Sequence, residues 1–278
     1  MQARNRINIT LAVAVGAIGL VIAWLLWDDY RGDPMLDLDP GQVRELRSEH
    51  EGAELWRMRR EDGDWSLQFP FQAPADRHRM EQLLPLLRAP VHSRYSTEEV
   101  DPARFGLDEP SLVIAADEVR IAFADMEGPD RRRYARVGDE ILVIDEMVYF
   151  QFSRAAEHFA DRDLLPREAS IEAIEFPATR LQRDTDGHWE LDPPDDANGP
   201  AADQLAQQWQ QARADDVHHW PAPLEQALII RVHFRDADPR VFHLLEADGR
   251  LVLGDIERGL RYEFDAARLE QMLPGRDE

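Results

Sequence analysis

An uncharged apolar run from Ile7 to Trp27 constrains this chain more than any other feature. The run is 21 residues long. At about 1.5 Å of rise per residue it reaches roughly 30 Å, the thickness of a bilayer's hydrocarbon core. Arg4 and Arg6 precede it, and Asp28 and Asp29 follow it. That polarity predicts one membrane helix, with a cytoplasmic N-terminus and everything after Tyr30 outside the bacterial inner membrane. The run closes with Ala23-Trp24-Leu25-Leu26-Trp27 and has no small-x-small cleavage pattern. Trp24, Trp27 and Tyr30 fall where an interfacial aromatic belt belongs. The reading is an uncleaved signal anchor over residues 1–30.

The remainder is long enough for one large or two ordinary domains, and 44% hydrophobic content supports a packed core. The chain has no cysteine, which excludes disulfides, thiolate metal sites and a cysteine nucleophile. The formal charge is −23, and all 32 basic residues are arginine. Such acidity disfavours nucleic acid and anionic lipid surfaces as partners, because both repel it.

Two stretches resemble one another. The first runs Leu55 to Leu67 with Asp62-Gly63, Trp65 and Leu67, then Pro70. The second runs Leu181 to Leu191 with Asp186-Gly187, Trp189 and Leu191, then Pro193-Pro194. An Asp-Gly pair between strand-like segments signals a hairpin. A helix is expected after each. Ala75-Asp76 opens one, with Met80, Leu83, Leu84 and Leu87 on one face. Ala202-Asp203 opens the other, with Leu205, Ala206, Trp209 and Ala212 on one face. A Val-His pair follows each helix, and short strands come next. In the first half these are Leu112–Ala115, Val119–Phe123, Arg133–Val137 and Ile141–Ile144; in the second, Ile229–Phe234, Val241–Leu245, Leu251–Leu253 and Leu260–Phe264. A short helical piece closes each half, at Phe152–Phe159 and Ala266–Met272.

The predicted fold class is α+β: the anchor, then two tandem repeat domains of antiparallel strands, each with a packed amphipathic helix. The domains are placed at 31–166 and 167–278, with the boundary near Pro166–Ser170. Asp28–Pro40 reads as a polar stalk, Asp192–Pro200 as a loop inside the second repeat, and Arg276–Glu278 as a loose tail.

The repeated unit, the motif Phe105-Gly106-Leu107-Asp108-x-Pro110 and the segment Arg162-Asp163-Leu164-Leu165 together resemble the family called domain of unknown function 4340. The resemblance covers nearly the whole extracytoplasmic part and is better in the first half. At the place of the Phe-Gly-Leu-Asp motif the second half carries Trp220-Pro221-Ala222-Pro223. Members of that family look like single-anchor membrane proteins whose genes often lie beside an ABC-type export system with a gliding-motility-like auxiliary subunit. The resemblance implies an accessory subunit of a transport complex and supplies no catalytic residues.

The usual catalytic signatures are absent: no G-x-S-x-G elbow, no phosphate-cradling G-x-x-x-x-G-K-[ST], no H-E-x-x-H and no G-x-G-x-x-G. Without a Walker motif or a lysine, the chain cannot be the ATPase of a transporter. His218-His219 is the best metal candidate, with His92 at the equivalent repeat position and His233 and His243 on neighbouring strands. Adjacent strand residues point to opposite faces, so one of the pair at most serves a given ion. These histidines are expected on strand surfaces or as caps, and no metal or cofactor is expected. Arg131-Arg132-Arg133 follows Gly128-Pro129-Asp130 and reads as an exposed hairpin. It is either a solvated turn or a contact to an acidic partner or polyanionic glycan, since the guanidinium fork suits carboxylates. Trp65, Trp189, Tyr149, Phe150 and Phe152 are expected in cores.

The leading expectation is a non-enzymatic interaction or scaffold module on the outer face of an inner membrane, touching ABC-type permease or auxiliary subunits. A ligand-binding domain for a lipid, glycan or small molecule is the alternative, and a cell-envelope hydrolase stands third.

Overall fold

The computed structural model describes residues 32–128, 130–166, 168–194, 201–220, 228–247 and 250–274. The expected membrane anchor and the C-terminal tail lie outside the described residues. No helix among the described residues is long and apolar enough to cross a membrane.

The fold is mostly β, with two antiparallel sheets and four helices among the described residues. The strands are β1 (Glu45–His50), β2 (Ala53–Glu61), β3 (Asp64–Phe69), β4 (Ala73–Pro74), β5 (Ser93–Ser96), β6 (Leu112–Ala116), β7 (Val119–Gly128), β8 (Arg132–Val137) and β9 (Glu140–Asp145). They continue with β10 (Ile171–Glu175), β11 (Arg180–Arg183), β12 (Trp189–Asp192), β13 (Asp216–His219), β14 (Leu228–Phe234), β15 (Arg240–Ala247), β16 (Arg250–Asp255) and β17 (Leu260–Phe264). The helices are α1 (Arg77–Leu83), α2 (Glu146–Phe152), α3 (Ala202–Gln210) and α4 (Ala266–Met272). Contacts divide the chain into two compact units, one of residues up to 54 with 81–154, the other of 55–80 with 155–278.

In the first unit the strands pair in the order β1-β6-β7-β8-β9-β5. Alternation puts Leu46, Leu112, Ile114, Ile121, Phe123 and Ala135 on one face, all buried. Helix α2 covers that face. Its Phe152 is fully buried, its carbonyl accepts a bond from the buried Ser48 hydroxyl (3.0 Å), and its Tyr149 meets Phe123 edge-on. The opposite face is covered by the Phe-Gly-Leu-Asp segment. Asp101 caps a short 3-10 turn over Pro102–Phe105, and Gly106 ends it at φ +70°, a left-handed value that glycine adopts without strain. Leu107 then packs with Ala124 and Ile141, and Phe105 lies 4.5 Å from the Tyr134 ring. The motif is a lid of apolar side chains on a sheet that would otherwise expose β9.

The expected polar stalk is partly structured. Met35 and Leu36 are buried, and their N–H groups donate to the carbonyls of Ala89 and Leu87. Two apolar residues flanked by aspartates are enough to dock the segment.

In the second unit eight strands pair in the order β12-β11-β10-β14-β15-β16-β17-β13. The run from β10 onward follows the same pattern as β1 onward. A first strand is followed by a four-strand meander and is closed by the strand that precedes the meander in sequence. Helix α3 buries Leu205, Ala206 and Trp209, as its spacing predicts. The Trp209 indole N–H donates to the Met272 carbonyl at 2.7 Å, and its ring meets Phe176 and Phe242. A fully buried side chain of this size contributes about 1.5–3 kcal/mol. The β2–β3–β4 meander turns at Asp62-Gly63, and Trp56 packs edge-on against Phe159.

In the second unit the Trp220 ring lies on the β16 backbone at Gly254. A Cβ on Gly254 would stand 1.7 Å from the Trp220 ring, so glycine is what lets the indole lie on β16. The rest of the Trp-Pro-Ala-Pro segment lies outside the described residues.

Candidate interaction surface

The three consecutive arginines separate in space. The β7–β8 turn carries Asp130 at φ +60° and Arg131 at φ +57°, both left-handed, where a non-glycine residue costs about 1–2 kcal/mol. The Arg131 carbonyl accepts the Glu146 N–H at 3.1 Å and so ties the turn to the start of α2. Arg131 is exposed and Arg132 half-buried, opposite Asp145. Arg133 is buried, at 4% exposure. It donates to the carbonyls of Ala124 (3.0 Å) and Asp125 (3.2 Å) and to Glu146 Oε1 (3.0 Å), and it lies 3.8 Å above the Tyr149 ring. The expected exposed trio is corrected: Arg131 alone is exposed, Arg132 is half-buried and Arg133 is buried. Alternation along β8 turns the third inward, and a buried guanidinium must satisfy its donors internally.

Helix α2 begins at Asp145, whose carboxylate accepts the Met147 N–H at 2.8 Å. Val148, Tyr149 and Phe152 face the sheet. Met147 and Phe150, three residues apart on the other side, are 56% and 46% exposed. Phe150 is therefore a surface residue rather than the expected core residue. Arg131, on the turn tied to the start of α2, and two apolar side chains on the outer side of that helix are thus exposed in a strongly acidic chain, while alternation turns Arg132 to the sheet face opposite α2. Helical spacing was the available signal, since residues 147 and 150 fall opposite 148, 149 and 152.

The histidines do not converge. His92 is exposed, and its backbone N–H donates to Val143. His218 and His219 are exposed on the edge strand β13: His218 lies 3.7 Å from Glu263, and His219 stacks on Phe71. His233 lies 3.1 Å from Glu175, and His243 faces the Trp220 ring. No group of three or more His, Asp or Glu with metal-binding geometry occurs among the described residues.

The most perturbed titratable groups lie in the second unit, where they fasten three chain segments. Asp76 caps α1 through the Arg79 N–H (3.2 Å) and accepts from Arg213 at 2.7 Å. Arg213 also donates to Asp163 at 2.8 Å, and Asp161 stands 3.9 Å away. Burial raises the Asp76 carboxyl, but the Arg79 N–H and Arg213 outweigh it and hold it below its ordinary value. Asp161 is held above its ordinary value by burial, then by Asp163 and Asp76, against the bond it accepts from the Asp163 N–H. The Arg-Asp-Leu-Leu segment is the strap through this region: Leu164 donates to Ala212 and accepts from Arg240, which pairs with the buried Asp255 at 2.9 Å. A cleft of about 560 Å³ borders Gln68, Gln72, Phe234, Arg240 and Arg258. Both of its arginines are held to Asp255, which neutralises them in part.

Trp65 is buried as expected, whereas Trp189 is only half-buried, with the Arg183 guanidinium 4.4 Å from its ring. Searches against protein-family models, curated proteins and solved structures return no match to the chain.

Proposed function

We propose that this chain is a non-enzymatic interaction module, anchored in the bacterial inner membrane, that presents two tandem sheets outside it as an accessory subunit of an ABC-type transport complex. The observation that supports this reading is the exposed pair Met147 and Phe150 on α2, with the exposed Arg131 on the turn tied to the start of that helix. Exposed apolar residues beside arginines are the composition of a protein-binding anchor. The left-handed Arg131 is the kind of strained position that collects at binding sites. The complementary partner segment in this reading is acidic and apolar, carried by a permease or auxiliary subunit. The resemblance to the domain of unknown function 4340 family points to the same class of partner. The module carries no bond chemistry; it recruits a partner or transmits its movement, and the ATPase supplies the energy.

The test is purification of the full-length protein from its native membrane in mild detergent, with quantitative mass spectrometry. Stoichiometric permease, ATPase or auxiliary subunits are expected with the wild type. They should be depleted at least tenfold with Arg131→Glu/Phe150→Ser. A solitary protein, or subunits retained by the variant, would remove the reading.

A further inference from the structure

We propose that the groove between the β11–β12 hairpin and α3 binds a neutral saccharide ring, an activity that goes beyond the docking role and uses none of its residues. The groove measures about 280 Å³, near the lower end of the range for small-ligand sites. That size suits one ring rather than a long chain.

The hairpin supplies one wall. Arg183 and Trp189 are directly opposed across it, so both point to the face that carries the buried Leu181. Helix α3 supplies the other wall with Asp203, Gln207 and Gln210, and Gln211 follows at its end. The two repeats diverge here. Trp65, in the matching place of the first repeat, is 7% exposed. Trp189 is half-buried and lines the groove, with the Arg183 guanidinium 4.4 Å from its ring centroid covering one side of the indole.

The chemistry of these groups matches a sugar on three counts. A pyranose has an apolar C–H face, which seats on an aromatic ring, and indole offers the largest such ring. Its hydroxyls both donate and accept, and a glutamine amide does both from one side chain. Gln210 spends one donor on the Ala169 carbonyl at 3.0 Å, which fixes its amide and leaves its oxygen as an acceptor. Arg183 and Asp203 bring one charge of each sign, so the groove has no net charge to select an ion. An anionic ligand would meet Asp203, and a cationic one Arg183.

The experiment is isothermal titration of the full-length protein, held in a zwitterionic detergent without a sugar headgroup. The probes are chitotriose, maltotriose and cellotriose, with citrate as an anionic probe. Saturable binding of at least one trisaccharide is expected. Trp189→Ala should weaken it at least tenfold, and Gln207→Ala, an exposed helix substitution that leaves the fold intact, severalfold. Trp65→Phe should leave it unchanged. The proposal is overturned if no trisaccharide saturates up to about 10 mM, if citrate alone binds, or if Gln207→Ala and Trp189→Ala bind like the wild type. Loss or retention of co-purifying subunits does not enter this test, so the two readings stand or fall separately.

Discussion

The close approach of Trp220 to Gly254 yields a sharp thermodynamic prediction. An added methyl at residue 254 would stand 1.7 Å from the ring, far inside contact distance, and β16 is an interior strand that cannot shift away. The indole must therefore leave its seat. It is half-buried, so about 100 Å² of the 150–250 Å² typical of an aromatic side chain is at stake. At about 25 cal/mol per Å² the loss is about 2.5 kcal/mol. Gly254→Ala should cost that much, and so should Trp220→Ala. The double variant should cost no more than Trp220→Ala alone. It should even recover about 0.5 kcal/mol, because alanine is better than glycine in a strand. Urea unfolding of the full-length chain followed by far-ultraviolet circular dichroism gives the four corners of the cycle, without relying on the indole that is removed. Additive costs would refute the reasoning, as would a Gly254→Ala effect below about 0.5 kcal/mol.

Four further outcomes follow from the geometry. Arg133→Ala should destabilise the chain by about 3 kcal/mol because it strands Glu146 and the carbonyls of Ala124 and Asp125; thermal melts of Arg131→Ala and Arg132→Ala should stay within about 0.5 kcal/mol of wild type. Arg131→Gly should raise stability by about 1 kcal/mol by relieving the left-handed backbone, while weakening partner capture; a destabilised variant in urea would count against the strain. Asp76 has a lowered carboxyl value, so its contribution is present above the ordinary carboxylate value of about 3.9 and is lost as pH falls through its lowered one. Asp76→Asn should then be destabilising at pH 7 and converge on wild type in strong acid. Asp161 has a raised value, so its ionised form costs stability at neutral pH and protonation relieves that cost. Asp161→Asn should be stabilising at pH 7, with the gain fading as pH falls through the raised value toward about 3.9; a gain that persists at low pH would break the assignment.

Local pattern carried much of the fold. All eight meander strands named from the sequence are strands, and the buried stripe of α3 is Leu205, Ala206 and Trp209, as spaced. The pattern did not announce β1, β4, β5 and β10; β1, β5 and β10 each pair with a strand far along the chain. Phe152–Phe159 was read as one helix. The structure ends α2 at Phe152 and resumes with a 3-10 turn at Ala156–Phe159, because Asp145 sets the helix start earlier than the apolar run suggests.

What the sequence by itself determined about this protein is periodic and local: alternating strands, Asp-Gly turns, helix faces, and an apolar run long enough for a bilayer. The duplicated order of elements was legible for the same reason, since each repeat writes its own turns and helix. Tertiary structure decided which copies of a repeated feature stay equivalent. Trp65 is sealed in a core and Trp189 is left half-open; Arg131 faces solvent and Arg133, two residues on, is buried against Tyr149. Those outcomes depend on what another segment lays over each side chain. A covering element such as α2 follows its strands closely in sequence, yet the packing that lays it over one side chain and not another is set by the sheet beneath it, and no local period encodes that.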